Sequence, residues 1–218
     1  MENPIRIVIA DDHEIFRQGF LTLIRKEKNL KLIGEAKDGE ELINLVTATN
    51  PDVAFVDIAM PIMDGIAATR IVSEKAPLTK VIALSMFNDD NLLLDMLEAG
   101  ASGYLLKNTT LEEIVMAIDS VMKGENYFCN DTSAKLIRLI GKRKKQLKNT
   151  RSNISFSGRE KDVLELMCKQ LTIKEIAKEL GLSPRTVQTY REALQEKTGS
   201  RNSVGIVLYA IQHGIVTF

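Results

Sequence analysis

The sequence lacks the features that mark a membrane protein, a secreted protein or a metal site built from cysteine and histidine. No stretch approaches the ~18 consecutive apolar residues of a membrane span, and the first residues have neither the basic nor the apolar segment of a signal peptide. The two cysteines, Cys129 and Cys168, fit no metal-ligand spacing, and His13 and His213 are too few for a histidine-rich site. We therefore expect a cytoplasmic protein without a membrane partner, with reduced cysteines and with Cys168 packed in a helix.

The sequence also lacks net charge, but the two signs are separated along the chain. Residues 1–130 contain 12 Lys/Arg and 21 Asp/Glu, a net charge of −9, whereas residues 131–218 contain 17 Lys/Arg and 8 Asp/Glu, a net charge of +9. Such asymmetry indicates an acidic module joined to a module that binds a polyanion. Charge alone does not identify that polyanion as DNA.

The first half alternates short β-rich runs with segments of helical periodicity. This alternation predicts βαβ units, and hence an α/β domain whose five-stranded parallel sheet is covered by helices on both faces. The predicted strands are Ile5–Ala10, Leu30–Glu35, Val53–Val56, Val81–Leu84 and Gly103–Leu106. The predicted helices are Ile15–Lys26, Glu40–Thr49, Ile66–Lys75, Asn91–Ala99 and Leu111–Lys123.

The second half has helical periodicity and no strand signal. We divide the chain into a first domain at residues 1–128, a basic and partly helical linker at 129–154, and an all-α domain at 155–218. Ser157 with Glu160, and Thr172 with Glu175, have the spacing of capping boxes. Ser183 is a good N-cap before Pro184, and Gly181 ends the preceding helix. A fourth helix is predicted at Asn202–Gly214.

Several polar residues fall at the predicted carboxyl ends of the strands, where parallel α/β sheets carry their sites. These residues are Asp11 and Asp12 after the first strand, Asp57 after the third, Ser85 after the fourth and Lys107 after the fifth. Close carboxylates repel one another unless a cation lies among them, and an oxygen-lined pocket of this kind suits Mg²⁺. A carboxylate can then attack phosphorus, while an ammonium and a hydroxyl hold the phosphoryl oxygens.

Residues 1–125 resemble the receiver domain of two-component signalling, which has a flavodoxin-like (βα)5 fold. The resemblance rests on the segment from Val56 to Gly65 together with the acidic pair, Ser85 and Lys107. It implies that Asp57 accepts a phosphoryl group from a sensor histidine kinase, that Lys107 pairs with this group, and that Ser85 and Tyr104 are the switch residues. It also implies that Mg²⁺ is held by Asp11, Asp12, Asp57 and the backbone carbonyl of Ala59. Beyond self-phosphorylation and self-dephosphorylation, no enzyme activity is expected.

The basic half contains a helix-turn-helix, with helices at 172–180 and 184–197. The residues expected to pack together are Ile173, Ile176, Ala177 and Leu180 on the first helix and Val187 and Leu194 on the second. The opposite face carries groups suited to base edges and phosphates. The candidate DNA-binding residues are Lys174, Arg185, Thr186, Gln188, Thr189, Arg191, Lys197 and Arg201. An ordinary helical bundle with a solvated surface is the alternative interpretation.

Residues 155–218 resemble the LuxR-type domain of NarL/FixJ-type regulators, through the segments Phe156–Glu160, Lys174–Ala177 and Leu180–Val187. The resemblance implies double-stranded DNA as a partner, a homodimer when phosphorylated or DNA-bound, and RNA polymerase as a further contact. The chain departs from the family pattern where it has Gln188 for a usual Lys and Tyr190 for a usual His. The operator sequence of a relative therefore cannot be transferred to this chain.

Two other functions compete with a phosphorylation-controlled transcription factor. A Mg²⁺-dependent phosphatase could use Asp57 as its nucleophile, but such enzymes place a second carboxylate two residues later, where this chain has Ala59. A DNA-binding protein with a vestigial receiver would not need the full set of pocket residues. The phosphatase would turn over a phosphate ester repeatedly, which the leading hypothesis does not predict. The protein with a vestigial receiver would bind DNA with the same affinity after Asp57 is replaced.

Overall fold

The computed structural model describes residues 3–86, 90–128, 154–169, 171–213 and 215–216. The chain divides into two compact units, Met1–Ser133 and Ala134–Phe218. The predicted linker at 129–154 lies outside the described residues except for Ile154, and so do Cys129 and Gly214. Each unit is therefore described by itself.

The first unit alternates strands and helices, as the sequence predicts. The strands are β1 (Ile5–Ala10), β2 (Leu30–Ala36), β3 (Val53–Asp57), β4 (Lys80–Ser85), β5 (Gly103–Leu106) and β6 (Tyr127–Phe128). The helices are α1 (Glu14–Ile24), α2 (Gly39–Thr49), α3 (Gly65–Lys75), α4 (Asp90–Ala99) and α5 (Leu111–Met122). Asp38, Asp64 and Thr110 cap α2, α3 and α5 by accepting backbone hydrogen bonds, which satisfies otherwise unpaired N–H groups.

The strands form one parallel sheet in the order β2-β1-β3-β4-β5-β6. The first five have the order of flavodoxin-like folds, and the prediction of a parallel sheet flanked by helices is confirmed. The prediction of five strands is corrected to six, because Tyr127 and Phe128 pair with Gly103 and Tyr104 at the edge. A strand of two residues is too short to show an alternating pattern in the sequence.

The sheet core is closed on one side by α1 and α5. Ile7, Ile9, Phe55 and Leu84 on the central strands are fully buried in the same apolar cluster as residues of these two helices. Each side chain of this size removed from water contributes about 1.5–3 kcal/mol. The packing fixes the central strands against one another, and therefore also fixes the residues at their carboxyl ends.

The second unit is helical in its described part, with α6 (Gly158–Cys168), α7 (Ile173–Leu180), α8 (Pro184–Thr198) and α9 (Ser203–Gln212). The predicted capping boxes are confirmed at Ser157 and Thr172, and Ser183 caps α8 with proline at its start. Gly181 ends α7 with φ 64°, in the left-handed region that favours glycine. α7, a three-residue turn and α8 form the predicted helix-turn-helix.

The core of the second unit contains the residues that were expected to anchor the two helices. Ile176 and Ala177 of α7 are buried with Val187 and Leu194 of α8 and with Ile206 of α9. The cluster also contains Cys168; burial, with the nearby Glu165 charge, raises the pKa of its thiol to about 12, so the group stays protonated. Among the described residues, no helix is long and apolar enough to cross a membrane.

Candidate phosphoacceptor pocket and nucleic-acid interface

Four carboxyl-end residues of the first unit meet at one edge of the sheet. Asp57 ends β3, Asp11 and Asp12 directly follow β1, and Lys107 directly follows β5. One ligand atom each from Asp11, Asp12, His13 and Asp57 can be chosen so that all lie within 4.8 Å of one another. The parallel order of β1, β3, β4 and β5 produces this convergence, because it brings the strand ends to the same edge.

Lys107 bridges two carboxylates at the bottom of this pocket. Its Nζ lies 2.6 Å from Asp11 Oδ2 and 2.9 Å from Asp57 Oδ2, and all three side chains are at most 5% exposed. The backbone N–H of Lys107 donates to the carbonyl of Ser85, which ties the end of β5 to the end of β4. Asp12 is the third carboxylate of this group, so the pocket contains three carboxyl groups and one lysine ammonium.

Burial and the neighbouring charges act in opposite directions on the Asp57 carboxyl. Desolvation by burial is the largest effect and raises its pKa. The hydrogen bond and charge of Lys107, and a hydrogen bond from the Ala59 backbone, lower the pKa, whereas the Asp11 charge raises it. The net shift of the pKa is upward. For Lys107, burial lowers the pKa, but the hydrogen bonds to Asp11 and Asp57 outweigh burial, and the pKa is raised. The ammonium therefore stays charged and favours the ionised form of Asp57.

Residues of α1 and the first residue of α3 lie against the backbone and side chains of the pocket. The Arg17 guanidinium donates to the carbonyl of Asp11 at 2.7 Å and lies 3.3 Å from Glu35 Oε2. The Phe16 ring lies 4.9 Å from Lys107 Nζ, a cation–π distance. A Cβ on Gly65 would lie 1.9 Å from the carbonyl oxygen of Asp57, so α3 can start this close to β3 only with glycine at that position.

The second unit presents a polar face on the helix-turn-helix. Arg185 and Thr189 are exposed, and Thr186 and Gln188 are half-buried, on the side of α8 away from Val187 and Leu194. The Thr189 hydroxyl donates to the Arg185 carbonyl at 3.2 Å, and the Thr186 hydroxyl lies 2.8 Å from that of Ser183. Gln188 donates to Glu192 at 3.0 Å.

Lys197, predicted as a phosphate contact, has a partner inside its own unit. Its Nζ donates to Glu160 Oε2 at 2.7 Å and to the carbonyl of Ser155 at 3.4 Å. The hydrogen bond from Lys197 lowers the pKa of Glu160, although burial opposes the shift, and the backbone of Ser157 lowers it further. Glu160 is also the acidic residue of the α6 capping box, so this ion pair joins the end of α8 to the start of α6.

Comparison with known families assigns both units. Residues 7–119 match the model of the response regulator receiver domain, and residues 154–210 match that of bacterial regulatory proteins of the LuxR family. The chain is a response regulator with a LuxR-type DNA-binding domain. Its acidic pocket is of the kind typical of divalent-metal binding in receiver domains.

Relatives along the whole length support this assignment. The response regulator is 34% identical over 215 residues to an uncharacterized transcriptional regulatory protein, YxjL, of Bacillus subtilis, with 99% of each chain covered. It is 32% identical over 218 residues to the oxygen regulatory protein NreC of Staphylococcus epidermidis, covering 98% of this chain and all of the relative.

Solved structures of two regulators resemble the response regulator over nearly the whole of each solved chain. The response regulator ChrA of a heme-sensing two-component system is 26% identical with a TM-score of 0.54, covering 99% of this chain and 100% of the other. RcsB of Salmonella enterica, bound to a promoter in the presence of a phosphomimetic, is 26% identical with a TM-score of 0.58, covering 96% and 99%.

The structure brings together most of the receiver residues that the sequence singled out. Asp11, Asp57 and Lys107 are in contact, and Asp12 lies beside them. Ser85 is buried at the end of β4, and Tyr104 is fully buried on β5, where it pairs with Ala83. The roles predicted for these residues remain predictions.

Sequence reasoning did not predict the contacts that position the pocket and the second helix of the helix-turn-helix. Phe16, Arg17 and Gly65 support the pocket, whereas Glu160 and Glu192 hold residues of α8. Gly65 could have been found, since it directly follows the helix-capping Asp64 in the phosphoacceptor segment. The pairing of Glu160 with Lys197 had no local signal, because 37 residues separate the partners.

Proposed function

We propose that this response regulator accepts a phosphoryl group on Asp57 from a sensor histidine kinase, and that phosphorylation controls dimerisation and DNA binding. The observation that carries the proposal is the bridge of Lys107 between Asp11 and Asp57 at the buried carboxyl edge of the sheet. The bridge places Asp57 beside the Lys107 ammonium and near the carboxylates of Asp11 and Asp12, whose oxygens could hold a cation.

The chain's own residues account for the transfer chemistry. An oxygen of Asp57 forms a bond to phosphorus, while the bond from phosphorus to the donor breaks and the donor leaves with the electron pair. Lys107 favours the ionised form of Asp57, against the burial that raises its pKa, and can pair with the phosphoryl oxygens afterwards. Ser85 and Tyr104, on β4 and β5, are the proposed switch residues that respond to the new group.

The donor set of the pocket fits Mg²⁺. Asp11, Asp12 and Asp57 offer carboxylate oxygens within 4.8 Å of one another, and hard oxygen ligands are those Mg²⁺ prefers. We propose that these residues hold the ion together with the backbone carbonyl of Ala59. A divalent cation supplies charge shielding for the incoming phosphoryl group.

The output proposed for the second domain is sequence-specific binding of double-stranded DNA. α8 would enter the major groove, and Lys174, Arg185, Arg191 and Arg201 would contribute positive charge near the duplex. The related regulator RcsB is bound to promoter DNA in the presence of a phosphomimetic. A homodimer in the phosphorylated or DNA-bound state, and a contact with RNA polymerase, complete the proposed assembly.

The test of phosphoacceptance uses acetyl phosphate and Mg²⁺ with the full chain. Wild-type protein should gain the mass of one phosphoryl group, whereas Asp57→Asn protein, and wild-type protein with a chelator, should not. Failure of wild-type protein to gain this mass, or a gain retained in Asp57→Asn, would contradict the proposal.

The same reaction separates a regulator from a phosphatase. A regulator stops near one phosphoryl group per chain, apart from slow self-dephosphorylation. Sustained turnover of a phosphate ester would favour the enzyme interpretation, for which Ala59 lacks the carboxyl group that an acid at that position would need.

A further inference from the structure

A hydrogen bond on the polar face of α8 bears on which base the protein reads. Gln188 Nε2 donates to Glu192 Oε1 at 3.0 Å, across one turn of the helix. Val187 and Leu194 are fully buried, so they fix which face of α8 packs into the domain. Gln188 is half-buried and Glu192 is exposed on the remaining surface.

Glu192 determines which way the Gln188 amide is turned. An ionised carboxylate only accepts hydrogen bonds, whereas a glutamine amide has two N–H donors and a carbonyl acceptor. If the amide were flipped, its oxygen would face the Glu192 oxygen, and two acceptors would repel each other. The contact therefore keeps the amide nitrogen towards Glu192 and leaves the carbonyl oxygen and the second N–H side by side.

The neighbouring polar side chains are already engaged within α8 and its cap. The Thr189 hydroxyl donates to the backbone of Arg185, and the hydroxyls of Thr186 and Ser183 bond to each other. Within the described part of the chain, the Gln188 carbonyl oxygen has no hydrogen-bond partner. Gln188 is thus the neutral side chain on this face that offers an adjacent donor and acceptor in a fixed orientation.

We propose that Gln188, oriented by Glu192, recognises an adenine in the major groove. Adenine presents the N7 acceptor and the N6 amino donor there, which match one N–H and the carbonyl oxygen of a glutamine. The second N–H of Gln188 remains bonded to Glu192 in this arrangement. The inference rests on the proposed function, which places α8 in the major groove.

Glu192 has opposite effects on affinity and on specificity. Its negative charge lies on a surface that approaches phosphates, so it weakens binding to every sequence. Its hold on the amide strengthens discrimination at one base pair. Removal of Glu192 is therefore expected to raise general affinity and to lower adenine preference, a combination that loss of a merely structural residue does not produce.

The experiment is selection from random duplexes by the full chain with acetyl phosphate and Mg²⁺, followed by affinity measurements on the selected site and its single-base variants. Wild-type protein should prefer adenine at one position of each half-site by about 5- to 150-fold. Gln188→Ala should remove this preference and leave the others intact, whereas Gln188→Lys should move it to guanine. Glu192→Ala should reduce the preference several-fold while tighter binding appears on all sequences.

Glu196→Ala is the matched control, because it removes the same charge from an exposed position of the same helix, one turn farther along. It should raise general affinity without changing the adenine preference. A selected site whose adenine preference survives Gln188→Ala, or is unchanged in Glu192→Ala, overturns the inference and leaves the proposed DNA-binding function standing. Selection of no duplex overturns both.

Discussion

At the scale of single residues, Gly65 shows how little space separates Asp57, the proposed phosphoacceptor, from the next helix. Its φ is not in the left-handed region, so the requirement for glycine is one of space. In Gly65→Ala, the new Cβ would meet the Asp57 carbonyl oxygen at 1.9 Å, and the backbone of β3 or α3 must shift. We expect a loss of about 1–3 kcal/mol in the free energy of unfolding, measured by denaturant titration, and slower phosphorylation from acetyl phosphate.

Gly19→Ala provides the control for that loss. Gly19 lies inside α1, where an added Cβ would meet nothing within 4 Å. Because alanine restricts the unfolded chain more than glycine does, Gly19→Ala should gain about 0.5–1 kcal/mol. Equal stability changes in the two variants would mean that the close contact at Asp57 does not constrain the fold.

Ile62 differs from Gly65, because its backbone conformation favours a residue other than the one present. It is 78% exposed, and its φ of 64° is in the left-handed region, which costs an L-residue about 1–2 kcal/mol. Since asparagine tolerates this region better, Ile62→Asn should raise the free energy of unfolding by about 0.5–1 kcal/mol. Ile15→Asn, at a 90% exposed helical position, should change it by less than about 0.5 kcal/mol. Similar gains from both variants would point to lost surface hydrophobicity, and not to relieved backbone strain.

At the scale of elements, the Glu160–Lys197 pair makes the link between α6 and α8 sensitive to acid. The pKa of Glu160 is lowered, chiefly by Lys197, so the ionised carboxylate stabilises the fold at pH values above its ordinary pKa of 4.5. This stabilisation is lost as the pH falls through the lower pKa that Glu160 has in the folded protein. Lys197→Met should destabilise the domain by about 1 kcal/mol at neutral pH and flatten this acid dependence. Amide exchange of α6, measured against pH, tests both effects; an unchanged acid dependence in Lys197→Met would contradict them.

The same pair predicts different roles for two lysines in DNA binding. Lys174 is exposed to solvent, whereas Lys197 already pairs with Glu160. Lys174→Met should reduce the slope of log affinity against log salt by about 1, as expected for one lost phosphate contact. Lys197→Met should change this slope less, because its main contacts are internal. An equal reduction in both variants would show that Lys197 leaves Glu160 when DNA binds.

What the sequence predicts about the elements depends on whether the signal is local. β1 and β5 have their predicted bounds, and the caps at Ser157, Thr172 and Ser183 form as predicted, because a few neighbouring residues determine them. The convergence of Asp11, Asp57 and Lys107 was also predictable, since the order of a parallel sheet brings strand ends together. The two-residue β6 and the contacts of Phe16 with Lys107 and of Glu160 with Lys197 arise only from tertiary packing.

At the scale of the whole molecule, the separated charge reflects two different chemical tasks. The acidic half, at −9, carries the pocket of clustered carboxylates that is proposed to hold a cation and accept a phosphoryl group. The basic half, at +9, carries the helix-turn-helix that approaches a polyanion. Because the proposed phosphorylation site lies in one unit and the DNA-binding helices lie in the other, the proposed regulation depends on a state of the full chain, and dimerisation is the proposed state.

A two-fold dimer predicts a dependence of DNA affinity on half-site spacing. Two recognition helices reach the same side of the duplex when their half-sites are separated by about 10 bp or a multiple of it. In titrations of the phosphorylated full chain, a spacer lengthened by about half a helical turn should reduce affinity far more than one lengthened by a full turn. Asp57→Asn protein should bind weakly and show little spacing dependence, because it cannot enter the phosphorylated dimer. Equal affinity at every spacing for the phosphorylated wild type would mean that each chain binds its half-site alone, and that phosphorylation acts within one chain.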